Sequence, residues 1–190
     1  QRQMCIRDRM TPVFVAGSKK NHVLGDNGVR ENQTLEALGK LKPVFERNHG
    51  TVTAGNASQI TDGAVAMLVM TESRAEELGL EPLGRLIDYR YSGCDPARMG
   101  LGPAHSIAEL KTATGLAPED ADVVEINEAF AVQVLAVLRC LEDAEFASKF
   151  GLSESVGAVP GDRLNPNGGA IALGHPVGAS GARLVLTALK

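Results

Sequence analysis

The run AVAMLVMT (Ala64–Thr71) constrains the fold most, because a continuous apolar stretch bounded by a turn fits a strand buried on both faces. Such a strand needs helices above and below it, and the following text supplies them in alternation. SRAEELGL reads as a short helix with Ser73 as its cap and Gly79 as its stop, and LGRLIDYRYSG as the next strand. IAELKTAT is a helix introduced by the turn GLGPAHS and stopped by Gly115. ADVVEIN is a third strand, and EAFAVQVLAVLRCLED is a long apolar-faced helix. Residues 142–162 are looser, a connection marked by Gly157, Pro160 and Gly161, and the Gly-rich text after Asn165 feeds a last helix from about Ser180. This β-α-β-α-β-α order demands crossover connections, so the fold class is α/β with a mostly parallel sheet covered by helices.

Ahead of Gly50 the chain has a different character. PVFVAG is a short strand, and SKKNHVLGDNGVREN is polar with Gly-Asp-Asn-Gly turn chemistry. TLEALGKLK sets Leu35, Leu38 and Leu41 on one stripe of a short helix that Pro43 ends. The first nine residues, QRQMCIRDR, have no apolar periodicity and lack the apolar stretch of a signal peptide, so residues 1–9 read as a non-native end.

Composition excludes several classes. With 19 Lys plus Arg against 23 Asp plus Glu, the net charge of −4 argues against nucleic acid or an anionic membrane as partner. The apolar run that ends at Met70 falls far short of the ~18 residues of a membrane span. Three widely spaced cysteines (Cys5, Cys94 and Cys140) suit a reducing, cytoplasmic compartment, and no pair of them has the spacing of a structural metal site.

Four segments carry residues that a plain core does not require. In GTVTAGNASQITDG (Gly50–Gly63), small residues let a ligand approach the backbone, with Asn56 and Ser58 offering hydrogen bonds; an ordinary turn before a strand is the alternative. In INEAF (Ile126–Phe130), Asn127 stands at the C-terminal end of a strand, where open α/β sheets bind ligands. Its amide can serve an oxyanion or a positioned water, or it can cap the next helix. In GGAIALGHPVGASG (Gly168–Gly181), His175 is held extended by the following Pro176 among glycines, which suits a general base better than a core histidine. In RMGLGP, Met99 either lines a pocket or fills a gap in the packing. Cys140, on the apolar helix, reads as buried and inert, and Cys94 lies in a turn without the setting that activates a thiol.

GNAS, NEAF and NPNGGAIALGHPVGASGAR in this order resemble the thiolases, the acyl-CoA:acetyl-CoA acyltransferase family, from about Thr34 to Lys190 and more weakly from Thr11. The resemblance implies a thiolase-like fold, a mixed five-stranded sheet between helices, here as a C-terminal half lacking its last strands. It implies residues 10–50 as the end of the loop domain and 51–190 as the truncated C-terminal domain. It implies His175 as the base that deprotonates a nucleophilic Cys, and Asn127 as the holder of a water that stabilises a thioester enolate. Coenzyme A, a substrate with no covalent cofactor beside it, would lie along Ser58 with its nucleotide end near Arg30. Met99, Ala129 and Phe130 would line the substrate pocket, and no metal is implied. The family's nucleophilic Cys and its acid/base Cys have no counterpart in these residues. The expected reaction is thiolysis of a 3-ketoacyl-CoA, or the reverse Claisen condensation, by a homodimer or homotetramer at full length. The alternatives are a non-catalytic acyl-CoA or lipid-binding relative and an inactive fragment.

Overall fold

The order of elements follows from local chemistry that the side chains make visible. The computed structural model describes residues 9–17 and 22–190. The readings that rest on residues 1–8, Cys5 included, and on residues 18–21 lie outside the described residues. Val13–Phe14 (β1) and His22–Val23 (β2) pair antiparallel, with Val13 opposite Val23 and Phe14 opposite His22. Helix α1, Leu35–Gly39, begins where the Thr34 hydroxyl accepts the Ala37 N–H at 3.1 Å. Of its leucine stripe, Leu38 and Leu41 close on the backbone of Gly55, whereas Leu35 faces solvent.

Helix α2, Glu72–Glu77, is capped by Thr71 and not by Ser73. Thr71 has the extended backbone a cap requires and accepts the Arg74 N–H at 3.3 Å, while Ser73 is already helical. A 3₁₀ turn, Pro96–Leu101, capped by Asp95, runs directly into helix α3, Gly102–Thr114. That helix therefore starts earlier than the apolar periodicity suggests, with Pro103 in the first turn, where its missing N–H costs nothing. Helix α4 is Ala131–Leu141. The stretch read as looser contains helix α5, Ala144–Ser148, because the Asp143 carboxylate accepts the N–H groups of Glu145 and Phe146 at 2.8 and 3.2 Å. Helix α6 is Ala170–Leu173, and α7, Val177–Ala188, begins directly after Pro176 and not near Ser180. Proline has the φ of a helix entrance fixed in advance, so the helix needs no later start.

The core sits between α3, α4 and α5. Ala104 and Ala108 on α3 face Val134, Val137 and Leu141 on α4, spaced as one helical stripe, with Ile126, Phe146, Ala147 and Val156 completing the cluster. Alanines on one side let the two helices approach closely. The His105 ring meets Phe146 and Phe150 edge-on at 5.3 and 5.5 Å, and the Lys111 ammonium ties the end of α3 to the carbonyls of Ser155 and Val156.

The expected strands are the main correction. Among the described residues the sheet is the two-stranded β1–β2 pair, and 64–71 and 83–93 form no ladder. From ADVVEIN only Val124 pairs, in parallel with Leu164. A strand is defined by its neighbour, and an apolar run is buried only when layers close over both faces. Here Val69 and Ile87 are 83% and 77% exposed, so their sequence signal is present and their partners are not beside them. No helix among the described residues is long and apolar enough to cross a membrane.

Leu141 has no exposed surface and Leu135, on the opposite face of α4, is 64% exposed. Leu141→Ala is expected to lower the unfolding free energy by about 2–5 kcal/mol. Leu135→Ala should change it by roughly 0.5 kcal/mol or less. Urea denaturation of both variants checks the placement of the core.

Candidate active site

Three segments are drawn together by their backbones before any side chain acts. Val124 N–H donates to Arg163 O and Asn165 N–H to Val124 O, both at 2.9 Å, which aligns NEAF with the NPN turn. Asn165 then leaves the ladder with φ +46, a left-handed conformation that asparagine tolerates better than most residues. Its buried side chain continues the pairing. The carboxamide oxygen accepts the Ile126 N–H at 2.9 Å, and the amide donates to Ile126 O at 2.9 Å and to Glu128 Oε1 at 2.8 Å. Glu128 Oε2 accepts the Ile171 N–H at 3.0 Å, and a side chain at Gly169 would overlap this carboxylate.

The GNAS loop bridges the other two segments. Ala131 N–H donates to Asn56 O at 2.9 Å and Ser58 N–H to Ala129 O at 3.0 Å, so Ala57 pairs antiparallel with Phe130. One residue on, the His175 N–H donates to Gln59 O at 2.9 Å. Gly174, at φ +99, lies against Thr61 so closely that only glycine fits there.

On this frame the side chains of Asn127 and His175 meet, Nδ2 to Nε2 at 3.4 Å. The other ring nitrogen, Nδ1, lies 2.7 Å from the Ser180 hydroxyl, which also donates to Pro176 O at 3.1 Å. Asn127 Oδ1 is buried without a hydrogen-bond partner among the described residues. The helix-cap alternative for Asn127 fails, since α4 starts at Ala131 with Phe130 as its cap.

The structure brings together His175, Asn127, Ser58, Ala129 and Phe130, whose ring meets Phe45 edge-on at 5.8 Å. Arg30 is exposed ahead of α1 and is not among them. Met99 is 78% exposed on the 3₁₀ turn, so it fills no gap in the packing. Asn56 does not offer its amide to a ligand, because Oδ1 accepts the Thr53 N–H and Nδ2 donates to Thr51 O, each at 2.8 Å. Cys140 is half-buried against the core, less enclosed than its helix position suggests, and Cys94 is half-buried with its thiol 4.0 Å from Arg98 O.

Sequence reading missed Ser180, Asn165, Glu125 and Arg183, and it placed Glu128 beside Asn127 at the strand end without a role of its own. An Asn before Pro166, and a Ser five residues after a His at a helix entrance, are the signals that were there to read. Glu125 and Arg183 are half-buried, and their polar side-chain atoms have no hydrogen-bond partner among the described residues. Burial pushes the Glu125 carboxyl up and the Arg183 guanidinium down, and the charge of each opposes the shift of the other.

Fold and site together define an α/β protein with an imidazole and a carboxamide meeting among three chain segments. Known proteins narrow the class further. The profile "Thiolase, C-terminal domain" matches residues 80–190, and "Thiolase, N-terminal domain" matches residues 1–73. The chain is 45% identical over 166 residues to a 3-ketoacyl-CoA thiolase of Aeromonas salmonicida, covering 86% of this chain and 38% of that protein. It is 44% identical over 196 residues to the peroxisomal 3-ketoacyl-CoA thiolase B of Rattus norvegicus, covering 100% of this chain and 42% of that protein. The dimeric peroxisomal thiolase of Saccharomyces cerevisiae superposes with a TM-score of 0.78 at 39% identity, over 99% of this chain and 45% of that one. Human mitochondrial 3-ketoacyl-CoA thiolase in complex with CoA gives 0.77 at 42% identity, over 100% and 44%. The chain belongs to the thiolase family and has the thiolase fold. It spans less than half the length of these relatives.

Asn165→Ala removes a clamp that satisfies both backbone groups of Ile126 and leaves Glu128 with one donor fewer. The expected loss is about 2–3 kcal/mol, from buried polar groups left unpaired. Asn165→Gly relieves only the backbone conformation and should recover at most ~1 kcal/mol. Thermal or urea unfolding of the two variants distinguishes clamp from backbone.

Proposed function

We propose that this chain carries the base-and-amide part of a thiolase active site. In the polypeptide of full relative length it serves the thiolysis of a 3-ketoacyl-CoA to acetyl-CoA and a shortened acyl-CoA, or the reverse Claisen condensation. The observation that carries this reading is the Asn127–His175 pair, with Asn127 Oδ1 buried and unpartnered beside it. A buried acceptor left open by the protein marks a place for a water or a ligand.

His175 takes the thiol proton of a cysteine supplied by the part of the relatives' length that this chain does not span. The thiolate attacks the substrate carbonyl, and the bond to the acetyl-CoA enolate breaks. The enolate carbon takes a proton from the family's acid/base Cys to give acetyl-CoA, and the acyl group remains on sulfur as a thioester. Coenzyme A gives its thiol proton to that second Cys and attacks the thioester as the thiolate. This releases the shortened acyl-CoA, and the freed nucleophilic Cys takes back its proton from His175. Asn127 holds a water that, with His175, stabilises the enolate. Coenzyme A is thus a substrate and not a bound cofactor. Ser58 lies along its pantetheine arm, a role supported by the GNAS loop being pinned within one residue of both NEAF and the His175 backbone. Arg30 meets its nucleotide end, and Met99, Ala129 and Phe130 line the acyl pocket. Residues 10–50 form the end of the loop domain and 51–190 the C-terminal domain. Assembly as a homodimer or homotetramer belongs to the same reading, as does a reducing, cytoplasmic location, which the unpaired Cys94 and Cys140 support.

In a polypeptide of the relatives' length, His175→Ala is expected to lower kcat by ~10²–10⁴-fold, with coenzyme A affinity unchanged. Steady-state thiolysis of acetoacetyl-CoA, with binding measured by calorimetry, tests it. Near wild-type turnover in the variant would overturn the assignment of His175 as the base. Coenzyme A binding without turnover in the unsubstituted protein would leave a non-catalytic acyl-CoA binder. Asn127→Ala should cost roughly 2.7–4 kcal/mol of transition-state stabilisation in the condensation step and less in acyl transfer from the enzyme. Single-turnover measurement of the two half-reactions separates them, and equal losses would rule out a role confined to the enolate.

A further inference from the structure

The hydrogen-bond chain around His175 has a direction, and that direction has a chemical consequence. Pro176 O can only accept, so the Ser180 hydroxyl, 3.1 Å away, spends its single proton there. The Ser180 oxygen then faces Nδ1 at 2.7 Å with lone pairs only, which makes Nδ1 the nitrogen that bears the hydrogen. At the other side of the ring, the Asn127 amide is a donor 3.4 Å from Nε2 and meets a lone pair there. With the Ser180 proton on Pro176 O, all three contacts fit the Nδ1–H tautomer.

We propose that Ser180 is a positioning residue that fixes His175 as the Nδ1–H tautomer, leaving Nε2 as the only nitrogen able to take a proton. The inference deepens the reading of His175 as the base and rests on it for its functional meaning. The geometry suits the task. Ser180 is 3% exposed, so water does not compete for either of its hydrogen bonds, and it sits in the first turn of α7, four residues after the carbonyl it bonds. The residue that sets the ring's backbone, Pro176, is also the one whose carbonyl orients the hydroxyl. Ring and hydroxyl therefore share one rigid origin.

The test is the tautomer itself, read from long-range ¹H–¹⁵N correlation spectra of the ¹⁵N-histidine-labelled chain at a pH where the ring is neutral. The chain has four histidines, and the spectrum of His175→Gln assigns the signal by difference. The wild-type ring is expected as Nδ1–H. Ser180→Ala, which keeps the small volume and removes the acceptor, should shift it toward the Nε2–H form that free imidazole side chains prefer. Ser180→Thr, which keeps the hydroxyl, should restore Nδ1–H. An Nε2–H wild-type ring overturns the proposal without any variant, and so does a Ser180→Ala ring that stays Nδ1–H. The measurement involves no acyl-CoA, so its failure is distinct from the failure of the thiolysis reading, which the activity of His175→Ala decides.

Discussion

The Asn165 carboxamide is the contact on which the rest of the site depends. A parallel pairing of Val124 with Leu164 would ordinarily continue to Ile126, but the turn containing Pro166 takes the backbone away. The amide group of one side chain has the same donor and acceptor as a peptide unit, so it can occupy the next rung. By doing so it fixes Ile126 on both its polar groups, one residue before Asn127, and ties Glu128, one residue after it. Asn127 is thus held from both sides by bonds in which its own side chain takes no part. That leaves the Asn127 amide available to the site.

The same division between frame and function explains why the segments are rich in small residues. The GNAS loop reaches NEAF and His175 through main-chain bonds, which requires backbones to approach closely. Gly169 against Glu128 and Gly174 against Thr61 are places where a methyl group would force the segments apart. A misplacement of about 1 Å at a reacting pair can cost ~10²-fold in rate, so the glycines act on chemistry through distance. Loops fixed in this way reach the precision that a site on regular elements has without such help.

What the sequence made legible was local or motif-borne. GNAS, NEAF and GHP each named a segment, and the structure assembles all three with Ser58, Asn127 and His175 in one cluster. Helix bodies were readable from apolar spacing, while their starts slipped wherever capping or proline decided them, as at Thr71, Gly102 and Val177. The strands were read from apolar content, but pairing is a property of two segments and periodicity describes one. Hence AVAMLVMT looks like a strand in composition and forms no ladder among the described residues. Ser180 and Asn165 had only weak local signals, for a related reason. Their importance lies in what they face, at separations of 5 and 39 residues from His175 and Ile126, and nothing in their type announces a partner.

The charges near the site are disposed so that none of the ring's own partners is an anion. A carboxylate against an imidazole stabilises the imidazolium, whereas a serine orients the ring without that bias. Of the two carboxylates closest in sequence to Asn127, Glu128 is engaged by hydrogen bonds and Glu125 is not. Glu128 accepts the Asn165 amide and the Ile171 N–H. Glu125, which burial pushes up, is drawn back by Arg183, three residues beyond Ser180 on the same helix. The opposite charges of Glu125 and Arg183 act on each other without a hydrogen bond between them, while the ring's own contacts are with neutral groups. Orientation and electrostatics are thereby separated. The geometry of the His175 ring rests on Asn127, Ser180 and Pro176 O, and the Glu128 carboxylate contributes to the frame.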